Sequence, residues 1–143
     1  MSREYHNILV AIDGSKHSEQ AFDEAVEAAQ RHDAKLNIMS IINDSELSTS
    51  AFSFSKLYAA EKEQVEKEML KKVHDAARRG LDNAEPFVEL GNPKEKIVEF
   101  AKENAIDQIF LGATGKGDIR LSRIGSTAAY VVNHAPCSVT VIR

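Results

Sequence analysis

Ile8-Leu9-Val10-Ala11-Ile12, followed at once by Asp13-Gly14-Ser15, sets the reading of the whole chain. Five apolar residues in a row, with no polar alternation, are the pattern of a parallel strand covered on both faces. Asp-Gly-Ser is turn chemistry, and Ser15 also suits the cap of a following helix. Beyond it the period changes: Ala21, Ala25, Ala28 and Ala29 recur at i, i+4, i+7 and i+8, with Phe22 and Val26 beside them. That spacing predicts an amphipathic helix of about four turns.

The alternation continues to the chain end. Residues 36–42 read as a second strand, and Val65, Met69, Val73, Ala76 and Ala77 as the buried face of a second helix. Its outer face carries Glu63 with Lys67, Glu68 with Lys72 and Asp75 with Arg79, each in the favourable i,i+4 order, which reads first as a solvated face. The serine-rich stretch 43–55 between them has no clear period and is expected to be a loop, either a lid over a ligand or plain surface. Phe87-Val88-Glu89-Leu90 is a third strand, closed by Gly91-Asn92-Pro93, with Pro93 apt for the first position of a helix buried through Ile97, Val98 and Ala101. Ile109-Phe110-Leu111 is a fourth strand. Ala128, Val131, Val132 and Ala135 mark a last helix ended before Pro136, and Val139-Thr140-Val141-Ile142 a fifth strand. Five strands alternating with four helices predict one α/β domain over residues 1–143: a Rossmann-like three-layer sandwich, its open five-stranded parallel sheet covered by helices on both faces. Ligands in such sheets sit beyond the carboxyl ends of the strands, where the winding reverses. Two turns are singled out, at Asp13 and from Gly112 onward.

Composition narrows the function. With 143 residues the chain suits one domain and is short for two. Its 22 acids against 18 bases give a net charge of −4, which argues against nonspecific nucleic-acid binding. No apolar run approaches the roughly 18–20 residues of a membrane span, and Met1-Ser2-Arg3-Glu4-Tyr5-His6 lacks the layout of a signal peptide. One cysteine, Cys137, forms no internal disulfide and needs no oxidising compartment. A cytoplasmic protein is expected.

Of 7 glycines, Gly112, Gly115, Gly117 and Gly125 fall within 14 residues, where an even scatter would put fewer than one. Glycine lets a ligand approach the backbone, as amide groups wrapping a phosphate require. Ser126 and Thr127 follow, at the start of the last helix, where unpaired N–H donors and a partial positive charge favour an anion. Lys116, Arg120 and Arg123 against Asp118 add a local charge of +2. The competing account is turn chemistry, with the glycines closing turns and Ser126 merely capping its helix. The segment is not a P-loop, since Gly115-Lys116 is followed by Gly117 and not Ser or Thr.

Gly112-Ala113-Thr114-Gly115, nine residues, then Gly125-Ser126 resembles the G-x2-G-x9-G-[ST] signature of the universal stress protein family. The opening strand with its Asp13-Gly14-Ser15 turn, the Gly91-Asn92-Pro93 turn and the closing His134-Ala135-Pro136-Cys137-Ser138-Val139 are similar to the same family throughout the chain. The resemblance implies an adenine nucleotide alpha hydrolase-like fold and the subgroup that binds ATP, with ADP or AMP as alternatives. It further implies Asp13 on the ribose hydroxyls, the backbone at Ile41 on the adenine and Gly112 beside the ribose. The amides of Gly115, Gly125, Ser126 and Thr127 would hold the phosphates. Ala11, Ile12 and Ser15 beside Asp13, with Ala113 and Lys116 in the glycine segment, complete the expected contact set. Mg²⁺ or Mn²⁺ would ride on the phosphates. A homodimer paired through the edge strand Val139-Thr140-Val141-Ile142 is expected both from its unpaired backbone and from the resemblance. Asp118-Ile119-Arg120-Leu121-Ser122-Arg123 departs from the leucine-rich version common in the family, which leaves Arg120 and Arg123 without an assigned role.

The remaining candidates are weaker. Asp13 lacks the neighbouring acids that a phospho-acceptor site would need for Mg²⁺. The five histidines show no metal spacing; His17, close in sequence to Asp13, has a ligand approach as its alternative but is expected at the surface or as a cap. Cys137 opens an apolar strand as a core residue. No set resembles a catalytic triad. The leading function is therefore a dimeric, nucleotide-responsive regulatory module in stress response. Its rivals are a nucleotide-free interaction scaffold and a slow ATPase or phosphotransferase.

Overall fold

The computed structural model describes residues 4–47, 51–114 and 124–143. In chain order the elements are β1 (Asn7–Ala11), α1 (Lys16–His32), β2 (Lys35–Asn43), a 3-10 turn (Asp44–Glu46), α2 (Ala51–Arg78), β3 (Ala84–Gly91), α3 (Pro93–Glu103), β4 (Gln108–Gly112), α4 (Ser126–His134) and β5 (Ser138–Ile142). The sheet order is β3-β2-β1-β4-β5 and every pair is parallel.

The continuous apolar reading of β1 has its cause in the two cores. Ile8, Val10 and Ile12 point into one, with Phe22, Ala25 and Val26 of α1 and Val65, Met69 and Ala76 of α2. Leu9 points the other way, into a second core with Ile97 and Phe100 of α3 and Ala128 and Val131 of α4. Ile8, Leu9 and Val10 are all fully buried, each contributing about 1.5–3 kcal/mol on transfer from water. The two helical layers lie on opposite faces because successive side chains of a strand alternate. Two polar side chains enter these cores with partners: Asn37 donates to the Ile8 carbonyl at 3.0 Å, and Gln108 to the Thr140 hydroxyl at 2.5 Å.

Four sequence expectations need correction. Residues 43–55 are not one loop: Asn43 ends β2, Asp44–Glu46 form a 3-10 turn capped by the Asn43 side chain, and α2 has begun by Ala51. Phe54 stacks on Tyr58 at 6.2 Å, and Tyr58 packs against the first core, so the extra turns have a tertiary cause that the serines conceal. Val132 is 51% exposed, because α4 is short and buries only Ala128 and Val131. Ala77 is likewise exposed at the end of α2. The outer charges of α2 also do more than decorate it. Lys72 pairs with Glu19 of α1 instead of Glu68, and Arg79 bridges Asp23 at 2.9 Å and Asp75 at 3.1 Å, both cations lying over the Phe22 ring.

β1 lies between β2, which follows it in the chain, and β4, which returns on its other side. The winding therefore reverses between the carboxyl ends of β1 and β4, where Asp13 and Gly112 sit. None of the described helices is long and apolar enough to cross a membrane.

Candidate functional site

A cavity of about 260 Å³ opens at that reversal. Its wall is built from Ala11 at the end of β1 with Ile12, Asp13 and Ser15 beyond it, Leu111 and Gly112 at the end of β4 with Ala113 and Thr114 beyond it, Gly125 to Ala128 at the start of α4, Ile41 of β2, and Pro93 and Ile97 of α3. Past Ile41 it continues into a wider groove between α2 and the end of β2, sharing Ile12, Asp13, Ile41 and Pro93.

The β1–α1 turn is fixed from within. Gly14 stands at φ +84°, a conformation that favours glycine. One Asp13 carboxylate oxygen accepts the Ser15 N–H at 2.9 Å, and the Ser15 hydroxyl caps α1 by accepting the Ser18 N–H at 3.2 Å. Ser18, 2% exposed, closes the knot: its hydroxyl accepts from the Asp13 N–H at 3.3 Å and donates to the Ser15 carbonyl at 3.0 Å. The Asp13 side chain itself is exposed at the cavity mouth with its second oxygen outside this turn.

Ile41 is placed by the mismatch in strand length. Lys35 N–H donates to His6 of the β1 side, whereas Leu36 N–H donates to Asn83 of the β3 side. Backbone groups of a strand alternate sides, so the odd residues of β2 face β1. The register ends at Ala11 opposite Met39, with Ile12 N–H donating to the Met39 carbonyl at 2.8 Å. Two residues on, the N–H and C=O of Ile41 face the side that β1 has already left, and that space is the cavity.

The start of α4 supplies the third wall. Gly125 is the N-cap, with φ −67° and ψ 166°, extended backbone that any residue adopts. Its N–H donates to the Ala113 carbonyl at 2.6 Å, which corrects the expectation that the Gly125 amide is a free phosphate donor. Ala129 is the first residue whose N–H is taken up by the helix, bonding the Gly125 carbonyl at 3.0 Å. The amides of Ser126, Thr127 and Ala128 therefore lie ahead of the helical ladder, along the cavity wall. Among the described residues no side chain caps α4, so the Ser126 hydroxyl is not spent on capping.

Gly112 has a different reason to be glycine from the one expected of it. A Cβ there would come within 2.7 Å of His17 Cβ and 2.9 Å of the His17 carbonyl carbon and Ser18 nitrogen. The first turn of α1 lies against the end of β4. His17, expected at the surface or as a cap, is half-buried, and its Nδ1 lies 2.8 Å from the hydroxyl of Thr114, a residue 5% exposed.

Of the expected contact set, Ala11, Ile12, Asp13, Ser15, Ile41, Gly112, Ala113, Gly125, Ser126 and Thr127 come together around the one cavity. Gly115 and Lys116 lie outside the described residues, as do Arg120 and Arg123. Sequence reasoning missed Ser18, Thr114, Pro93, Ile97, Leu111 and Ala128 in the wall. Thr114 stood inside the glycine motif, but nothing local marks it as different from Ala113.

The universal stress protein family model matches residues 4–143. The chain belongs to the universal stress protein family. A family relative from Staphylococcus haemolyticus is 38% identical over 141 residues, covering 97% of this chain and 85% of that protein. The universal stress protein UspA from Lactobacillus plantarum superposes with a TM-score of 0.91 at 39% identity, over 99% of this chain and all of that one. A universal stress protein from Archaeoglobus fulgidus, described in complex with dAMP, shares the fold at 21% identity with a TM-score of 0.72, over 99% and 100% of the two chains. Among the described residues of this family member, no cluster of three or more His, Cys, Asp or Glu side chains could hold a metal ion.

Proposed function

We propose that this universal stress protein binds ATP, or ADP or AMP in its place, at the cavity between β1 and β4, and acts as a nucleotide-responsive regulatory module. The observation that carries the reading is the start of α4. Gly125 has no conformational need to be glycine, yet it precedes three consecutive amides outside the helical ladder and a hydroxyl not spent on capping. A helix N-terminus so arranged suits an anion, worth up to about 2 kcal/mol in favourable geometry. The backbone of Ile41, 16 residues beyond Ala25 of the first helical stripe and far from α4 in sequence, offers one donor and one acceptor to the edge of a purine base. The exposed Asp13 oxygen suits ribose hydroxyls. The dAMP complex of the Archaeoglobus protein supports an adenine nucleotide on this fold. Mg²⁺ or Mn²⁺ would be carried on the phosphates.

Three or four charge-assisted hydrogen bonds at about 1.5–3 kcal/mol each are enough for a micromolar complex after the costs of association. Calorimetry with ATP and Mg²⁺ is expected to give a 1:1 complex in the micromolar range, and denaturing the purified protein to release adenine nucleotide into the mass spectrometer. No heat at millimolar ATP together with no released nucleotide would leave the scaffold reading in possession. Steady phosphate release would point to the ATPase.

The same reading includes a homodimer through β5. The two sheet edges differ chemically. β3 carries Pro86, which has no N–H to donate, between Glu85 and Glu89, whereas β5 (Ser-Val-Thr-Val-Ile) has no such guard. Ala113 N–H bonds the Ile142 carbonyl at 2.7 Å, so the even residues of β5 face β4 and the backbone groups of Val139 and Val141 face outward. Val141→Pro removes an outward donor and leaves the β4 ladder in place. Sedimentation of the variant is expected to show a monomer with unchanged secondary structure; an intact dimer would place the interface elsewhere.

A further inference from the structure

We infer that His17 is a positioning residue: through Thr114 it holds the segment that leaves β4 against the Asp13 turn, and so keeps the phosphate side of the cavity in register with the ribose side. The inference rests on the nucleotide reading above and adds to it a residue that no contact with ligand would reveal.

The juxtaposition is long-range and close. His17 and Thr114 are 97 residues apart, yet Nδ1 and Oγ1 lie 2.8 Å from each other. Thr114 lines the cavity and is 5% exposed, while the half-buried imidazole stands behind it, outside the wall. In one neutral tautomer the hydroxyl donates to Nδ1; in the other Nδ1–H donates to the hydroxyl, so the link persists in both. On its other side His17 belongs to the first turn of α1, where Ser15 and Ser18 tie down the backbone of the Asp13 turn. Gly112 permits this approach by having no Cβ. The two loops that flank the topological reversal are otherwise joined to different strands. The imidazole–hydroxyl pair ties them directly, side chain to side chain, and it does so one residue before the chain runs on towards Gly125.

A link of this kind should show itself in the phosphate contacts more than in the nucleoside contacts. His17→Ala is expected to weaken ATP binding about fivefold, the worth of one ordinary hydrogen bond, and to leave adenosine binding unchanged. His17→Asn puts an amide atom where Nδ1 stands and is expected to restore ATP affinity to within about twofold of the parent. Calorimetry on the parent and the two His17 variants with ATP and with adenosine reads all of this. ATP affinity unchanged in a folded His17→Ala protein overturns the inference, as does a loss that Asn does not restore or one equal for ATP and adenosine. The parent protein separates the two ideas. If it binds neither ligand, the nucleotide reading falls and this inference falls with it; if it binds both and the variant behaves as the parent, only the role of His17 falls. Amide hydrogen exchange at Ala113 and Thr114, measured without ligand, is expected to quicken in His17→Ala, and equal rates would also count against the link.

Discussion

A Gly125→Val protein is expected to fold normally and to bind ATP at least about 100-fold more weakly than the parent. The folding half of the statement follows from the backbone. Gly125 sits at φ −67° and ψ 166°, where valine is unstrained, and the bond from its N–H to the Ala113 carbonyl survives the substitution. The residue is an N-cap without a side-chain cap bond, so valine forfeits no existing cap interaction and only lowers cap preference, worth under about 1 kcal/mol. The binding half follows from position. Gly125 is part of the cavity wall next to the amides of Ser126 and Thr127, and a branched side chain would occupy space that an anion must enter to reach them. Losing even one or two charge-assisted hydrogen bonds at about 1.5–3 kcal/mol each accounts for two decades of affinity. Calorimetry with ATP, beside a thermal melt of the nucleotide-free variant, checks both halves. Parental affinity in a protein that melts like the parent would remove the phosphates from this end of α4.

The difference between what the sequence displayed and what it withheld has a physical pattern. Elements that bury one stripe or two whole faces announce themselves: β1 is apolar from Ile8 to Ala11 because both its faces are covered, and the alanines of α1 recur because one stripe packs on the sheet. The cavity followed from the topology, since alternating elements with parallel strands place the reversal between the ends of β1 and β4. What stayed hidden depends on contacts between distant segments. The start of α2 is held by Tyr58 packed on the first core, and a serine-rich stretch gives no periodic sign of that. Val132 sat at the right spacing for a buried face, but a nine-residue helix buries only its middle. The Gly125 amide looked like a free donor until the return of the chain brought it to the Ala113 carbonyl.

The glycine signature illustrates the point most sharply, because a motif read as one device contains residues kept for unlike reasons. Gly125 is glycine beside a cavity and needs no special backbone. Gly112 is glycine beside a helix. Local sequence places His17 in the first turn of α1 with no partner in view, and only the approach of β4 gives it Thr114. Spacing within a motif reports that several residues share a place in the fold, and does not divide the labour among them.

That division predicts the second large effect, in stability and not in affinity. Gly112→Ala is expected to destabilise the nucleotide-free protein by about 3 kcal/mol, the upper end for overpacking a closely packed site. The added methyl would meet His17 Cβ at 2.7 Å and, at 2.9 Å, the His17 carbonyl carbon and the Ser18 nitrogen. The last two are backbone atoms of a helix whose first turn is tied by Ser15 and Ser18, so relief requires moving α1 away from β4 as a unit. Gly112 is the last residue of a strand paired on its far side with Ile142, and cannot retreat without opening the β4–β5 ladder. For a chain of this length such a cost lowers the melting temperature by about 10 °C. Urea unfolding of the variant, fitted with the parental m-value, provides the free energy directly. Pairing it with His17→Ala sharpens the result, since shortening the side chain removes none of the backbone contacts and should rescue little. A Gly112→Ala protein as stable as its parent would mean that α1 and β4 do not stand so close, and would return Gly112 to the ligand.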